Sequence, residues 1–220
     1  MDCELYVITD TVVGRGRTHE EMARLAIEGG ADIVQLRDKT CSPEDLIRTG
    51  RIIAEIARRS GTLFIVNDHP DIAIACGADG VHLGQDDMPP AAARQIAPEG
   101  FIIGVSVSTA AEAKKAESEG ADYLAASPVF PTGSKPDASG FCGISGIRQI
   151  RAATGLPLVA IGGIGPQNIR EVILAGADGV AVISAVVAKP DIAGAVRELK
   201  AIIKSARQQR SALAGTRERG

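Results

Sequence analysis

Short apolar runs rich in β-branched residues recur along the chain, at Leu5–Thr9, Asp32–Leu36, Leu63–Val66, Gly80–Leu83, Ile102–Val107, Tyr123–Ala126, Leu158–Ile161 and Gly179–Ile183. Between them lie segments whose apolar positions follow helical spacing: Glu20–Glu28, Pro43–Arg59, Ala110–Glu119, Pro166–Leu174, and a last one from Ile192 to Lys204. A strand that is apolar without alternation is buried on both faces, and parallel neighbours need a crossover between them. Eight such strand–helix units in 220 residues predict an α/β protein with a single-domain (β/α)8 TIM barrel. An open doubly wound sheet is the runner-up.

An internal repeat supports the barrel. Gly30-Ala31-Asp32, Gly77-Ala78-Asp79, Gly120-Ala121-Asp122 and Gly176-Ala177-Asp178 each end a helical segment just before a strand. There the glycine can take the left-handed conformation that closes a helix. The four aspartates then lie at the N-terminal ends of strands, the face of a barrel that serves stability rather than catalysis. No linker interrupts the pattern, so residues 1–203 read as one catalytic barrel. Residues 204–220, with Lys204, Arg207, Arg210, Arg217 and Arg219 against Glu218, read as a basic, frayed and solvated tail.

Composition narrows the function classes. The net charge is −3 and 45% of residues are apolar, an ordinary globular balance with no positive excess to hold a phosphate backbone. Trp is absent and there are only four Phe and two Tyr, so base-stacking surfaces are scarce and nucleic acid is not an expected partner. No apolar run approaches bilayer length and the first residues do not resemble a targeting segment, so a cytoplasmic location away from membranes is expected. The four cysteines stand far apart with no Cys-x-x-Cys pair, which argues against a thiolate metal site and a disulfide framework.

In a barrel the chemistry gathers where the strands end. Asp68 and Asp87 follow neighbouring strands and could bring two hard oxygen ligands to one cation, a set that suits Mg²⁺ better than Zn²⁺; each could equally cap the helix that follows it. Gly162-Gly163 after strand seven and Ser184 after strand eight stand where many barrels bind a phosphate. Arg37, Lys39 and Lys135 form a second cationic cluster suited to a more highly charged group such as a diphosphate. The polar segment from Pro131 to Gly140 reads as a surface loop or as a lid carrying Lys135. His82, inside strand four, reads as a hydrogen-bonded interior residue with no catalytic role.

The strings from Tyr6 to Asp10, Gln35 to Lys39, Val66 to Asp68, Gly80 to Asp87, Gly104 to Ser106, Pro131 to Lys135, Ile161 to Ile164 and Val182 to Ala185 together resemble thiamine phosphate synthases from the first strand to the last. The resemblance implies a transferase of thiamine biosynthesis. Its members join 4-amino-2-methyl-5-hydroxymethylpyrimidine diphosphate to a thiazole phosphate, giving thiamine monophosphate and pyrophosphate by a dissociative mechanism. Carried over by motif, Gln35, Leu36, Arg37, Asp38, Lys39, Asn67, Ser106 and Lys135 would hold the pyrimidine diphosphate. Arg37, Lys39, Lys135 and Ser106 would form the catalytic set. Asp68 and Asp87 would bind Mg²⁺, and Thr132, Gly133, Ser134, Gly163, Ile183 and Ser184 would hold the thiazole phosphate. The implied partners are these two small molecules, with homo-oligomerisation left open.

One position departs from the family. Many relatives carry Ser-x-His-Thr after strand five, where this chain has Ser106-Val107-Ser108-Thr109. The related thiazole tautomerases resemble the same barrel but use a His at the place of Ser108 and lack the aspartate pair. The other rivals are a sugar-phosphate isomerase or epimerase, with Asp68 and Asp87 as its acid/base pair, and a non-catalytic sensor of thiamine precursors.

Overall fold

A computed structural model describes residues 3–132 and 141–217 of the chain. Eight parallel strands close into a barrel in sequence order: β1 (Leu5–Thr9), β2 (Ile33–Leu36), β3 (Leu63–Asn67), β4 (Gly80–Leu83), β5 (Ile102–Val107), β6 (Tyr123–Ala126), β7 (Leu158–Ile161) and β8 (Gly179–Val182). Closure is direct, with Val7 of β1 registered against Val34 of β2 on one side and Val182 of β8 on the other. The described helices are α1 (His19–Gly29), α2 (Pro43–Ser60), α3 (Pro70–Cys76), α4 (Pro90–Ile96), α5 (Ala110–Ser118), α6 (Gly143–Ala153), α7 (Ile169–Leu174), α8 (Ser184–Val187) and α9 (Ile192–Arg217). They cover strands that are buried along almost their whole length, which is why those strands read as continuous apolar runs.

The glycine–alanine–aspartate repeat has a structural reason. Asp32 accepts the Leu5 N–H at 2.9 Å, Asp79 that of Phe64 at 2.7 Å, Asp122 that of Ile103 at 2.7 Å and Asp178 that of Leu158 at 3.0 Å. Each carboxylate thus clamps the strand before its own, joining β1 to β2, β3 to β4, β5 to β6 and β7 to β8. Among the described residues, Asp32 is also paired with Lys200, Asp122 with Arg94, and Asp178 with Arg151 and Arg210. The repeat marks the stable end of the barrel, as its position in the sequence implies.

The C-terminal reading needs correction. The last helix does not stop near Lys204 but continues to Arg217. Arg207 pairs with Glu4, Ala206 is buried, and Arg210 donates to the Ala177 carbonyl at 2.6 Å and pairs with Asp178. As far as Arg210, the segment that looks like a basic solvated tail is a helix face whose Arg207 and Arg210 hold the N-terminal ends of β1 and β8. Among the described residues no helix is long and apolar enough to cross a membrane.

Candidate active site at the barrel mouth

The polar residues that follow the strands meet at one mouth, in two neighbouring regions. The first is built by β1 to β5. Arg37, directly after β2, donates from Nη1 to Asp10 Oδ2 at 2.9 Å, and both side chains are only 11% exposed. Asp10 neutralises the buried guanidinium but leaves it unsaturated: Arg37 Nε is buried and has no hydrogen-bond partner among the described residues. Such a group is costly to leave unpaired, and an anionic ligand is its natural complement.

Asp68, after β3, is held in the left-handed region at φ 65°, anchored by its N–H on the His82 carbonyl at 2.8 Å. Its carboxyl is raised above its ordinary value by burial, by the charge of Asp87 and by a hydrogen bond to Asp87, while Lys39 opposes the shift. The two aspartates and Lys39 are therefore one electrostatic cluster. Asp87 also accepts the Gly84 N–H at 2.7 Å, which folds the loop after β4 back on itself. Among the described residues no group of three or more His, Cys, Asp or Glu is placed to hold a metal. The oxygen-only pair suits Mg²⁺, whose remaining positions are ordinarily filled by water and substrate phosphate oxygens.

Ser106, half-buried on β5, has its hydroxyl 2.9 Å from His82 Nε2 and its carbonyl 2.6 Å from Gln85 Nε2. Gln35 is buried with its amide on the Tyr6 hydroxyl at 2.6 Å, and Asn67 is buried at the end of β3. Leu36 belongs to the hydrophobic core. Asp38 is turned inward: it pairs with His19 at 3.1 Å and accepts from Thr40 and Cys41, so its carboxylate shapes the loop after β2. Although burial works against it, these hydrogen bonds hold its carboxyl well below the usual range.

The second region is a cleft of about 320 Å³ at the ends of β6, β7 and β8. Thr132, Gly163, Ile183 and Ser184 line it, as do Gln167 and Lys189, neither of which stood out in the sequence. Gly163, at φ 64°, is a glycine for a local reason too, since a Cβ would lie 2.7 Å from the Pro131 carbonyl oxygen. The Asn168 side chain accepts the Gly165 N–H and donates to the Gly163 carbonyl, both at 2.9 Å, fixing the turn after β7. Ser184, after β8 as the sequence implies, stands exposed at the first position of α8. Gly133, Ser134 and Lys135, and with them the lid reading, lie outside the described residues.

The comparisons decide what this mouth belongs to. A family model described as thiamine monophosphate synthase matches residues 5–186. The chain belongs to the thiamine monophosphate synthase family. It is 59% identical to a thiamine-phosphate synthase of Methanoregula boonei, over 95% of this chain and 97% of the relative. It is 56% identical to one of Methanoculleus marisnigri, over 95% and 99%. A solved structure titled thiamine phosphate pyrophosphorylase from Pyrococcus furiosus superposes with a TM-score of 0.85 at 42% identity, covering 93% of this chain and 97% of that one. The chain is thus a transferase of thiamine biosynthesis on a (β/α)8 barrel. Ser108, the departure from the common thiamine phosphate synthase motif, pairs through its N–H and hydroxyl with Glu112, at 2.6 and 3.0 Å, within the N-terminal cap of α5.

Proposed function

We propose that the mouth condenses 4-amino-2-methyl-5-hydroxymethylpyrimidine diphosphate with a thiazole phosphate, forming thiamine monophosphate and pyrophosphate in a Mg²⁺-dependent, dissociative reaction. The observation that carries the reading is Arg37, a guanidinium buried at the mouth whose Nε has no hydrogen-bond partner among the described residues, on the same strand-end rim as the like-charged Asp68 and Asp87. A diphosphate with its divalent cation answers both needs at once. Asp68 and Asp87 would hold Mg²⁺, which when bound supplies positive charge to the diphosphate oxygens.

The side chains of the mouth have separable tasks. Arg37 and Lys39, joined by Lys135, hold the diphosphate and stabilise charge as it accumulates there. Gln35, Asn67 and Ser106 orient the pyrimidine diphosphate by hydrogen bonds. The bond between the pyrimidine methylene carbon and the diphosphate oxygen breaks first, and its electron pair leaves with pyrophosphate. The resulting methylene cation is stabilised by the ring amino group, and the thiazole nitrogen lone pair then forms the new C–N bond. No proton changes hands in these steps, so the reaction requires no general base. Thr132, Gly163, Ile183 and Ser184 hold the thiazole phosphate in the adjoining cleft, and the part given to Gly133 and Ser134 rests on the family motif alone.

The electronic character of the pyrimidine tests the order of events. An electron-withdrawing ring substituent should slow the single-turnover formation of thiamine monophosphate steeply, because it destabilises the cation. A rate indifferent to that substituent would contradict the dissociative order.

A further inference from the structure

A line of side-chain hydrogen bonds crosses the barrel interior between two residues of the mouth. Gln35 Nε2 donates to the Tyr6 hydroxyl at 2.6 Å, and the Tyr6 and Tyr123 hydroxyls are 3.1 Å apart. The Tyr123 hydroxyl is 2.9 Å from His82 Nδ1, and His82 Nε2 is 2.9 Å from Ser106 Oγ. The five residues stand on β2, β1, β6, β4 and β5, so the line ties together strands far apart in sequence. Its space is built for it. Tyr6 and Tyr123 are fully buried, the His82 and Tyr123 rings stack with centroids 5.6 Å apart, and Gly104 leaves room where a Cβ would lie 1.9 Å from Tyr123 Cζ.

The proton count along the line sets its direction. Each phenol has one proton to give, and burial raises both phenols above their ordinary value, so they keep it. With the Gln35 amide nitrogen on Tyr6, the Tyr6 proton goes to Tyr123 and the Tyr123 proton goes to His82 Nδ1. The imidazole proton then resides on Nε2 and is donated to Ser106 Oγ. Ser106, half-buried at the mouth, accepts from behind and has its own proton left to give forward.

We propose that Tyr123 is a positioning residue: with Tyr6 and Gln35 it locks His82 in the Nε2–H tautomer and thereby makes Ser106 a hydrogen-bond donor toward the pyrimidine diphosphate. The identity of that acceptor rests on the synthase reading above, whereas the tautomer does not. If the line is broken at Tyr123, His82 Nδ1 loses its donor. The imidazole can then turn into an acceptor for the Ser106 proton, which is withdrawn from the substrate.

Nitrogen-15 spectra of histidine-labelled protein without substrates read the tautomer directly, with the His82 signal assigned by its absence in His82→Gln. The expected result is the Nε2–H form in the parent protein and loss of that preference in Tyr123→Phe. An Nδ1–H form in the parent protein overturns the proposal, whether or not any variant folds. Kinetically, Tyr123→Phe should lower kcat by ~10-fold, the size of one weakened hydrogen bond, with the thiazole phosphate KM unchanged. The double variant Ser106→Ala/Tyr123→Phe should be no slower than Ser106→Ala alone, and losses that multiply would overturn the positioning role. A protein that shows the Nε2–H form but makes no thiamine monophosphate retains the directed hydrogen-bond line, and overturns the substrate assigned to Ser106 together with the synthase reading.

Discussion

The carboxyl of Asp68 lies in hydrogen-bonding contact with that of Asp87, and burial together with the Asp87 charge raises it above its ordinary value. Two carboxylates so placed repel when both are ionised, and either a shared proton or a bound cation relieves them. The proposed Mg²⁺ would supply that relief. Because Asp68 sits at φ 65°, a region that Asn also tolerates, Asp68→Asn removes the charge without adding backbone strain. Turnover in this variant should fall by ~100-fold or more at saturating Mg²⁺, with the melting temperature little changed. Full activity would remove Asp68 from the metal site.

Arg37 offers a second test, through the difference between a guanidinium and an ammonium. Nη1 is committed to Asp10 at 2.9 Å, while the buried Nε has no partner among the described residues. A lysine cannot serve both at once. Arg37→Lys should weaken pyrimidine diphosphate binding by roughly 10- to 100-fold, measured by titration calorimetry, and should leave the thiazole phosphate KM unaltered.

The cleft between β7 and β8 is tested separately. Ser184→Ala should raise the thiazole phosphate KM by about 10-fold, the cost of one hydrogen bond to a charged group, with the pyrimidine diphosphate KM unchanged. The reverse pattern in steady-state kinetics would mean that the two pockets have been exchanged.

Asp38 makes a prediction about stability rather than chemistry. Its folded carboxyl is held below its unfolded value, so its contribution is present in full above the unfolded range, about pH 4, and is lost as pH falls toward the lower folded value. Asp38→Asn should therefore lower the melting temperature at pH 7 and narrow its difference from the parent protein in acid. Parallel melting curves across the acid range would contradict the inward role seen in its contacts with His19, Thr40 and Cys41.

The eight strands are legible in the sequence to within a residue at each end, because strands buried on both faces leave an unbroken apolar signature, as in Leu158–Ile161. Helices α3, α4, α6 and α8 are not: α3, α4 and α8 are four to seven residues long and too short for a periodic pattern, and the 11-residue α6 follows closely on the polar Pro131–Gly140 segment and carries two glycines. The end of α9 misleads for another reason. Its arginines look solvated until Glu4 and Asp178, far away in sequence, are brought beside them. The same limit applies at the mouth. Strand-end residues such as Arg37, Asp68 and Ser106 follow from the barrel rule, whereas Asp10 as partner of Arg37 and the inward turn of Asp38 depend on contacts between different loops. Polar residues inside otherwise apolar strands, such as Tyr6, Gln35 and His82, are the available signal for the interior line, and their connection requires the closed barrel.

The most direct test of the central claim is the stoichiometry of products from purified protein given both substrates, with Mg²⁺ present or chelated. Chromatography follows thiamine monophosphate while a coupled assay follows pyrophosphate. The expected result is equimolar formation of both, abolished by chelation and restored by added Mg²⁺. Binding of both substrates with neither product formed would contradict the synthase reading, and equal rates with and without the metal would contradict the role given to Asp68 and Asp87.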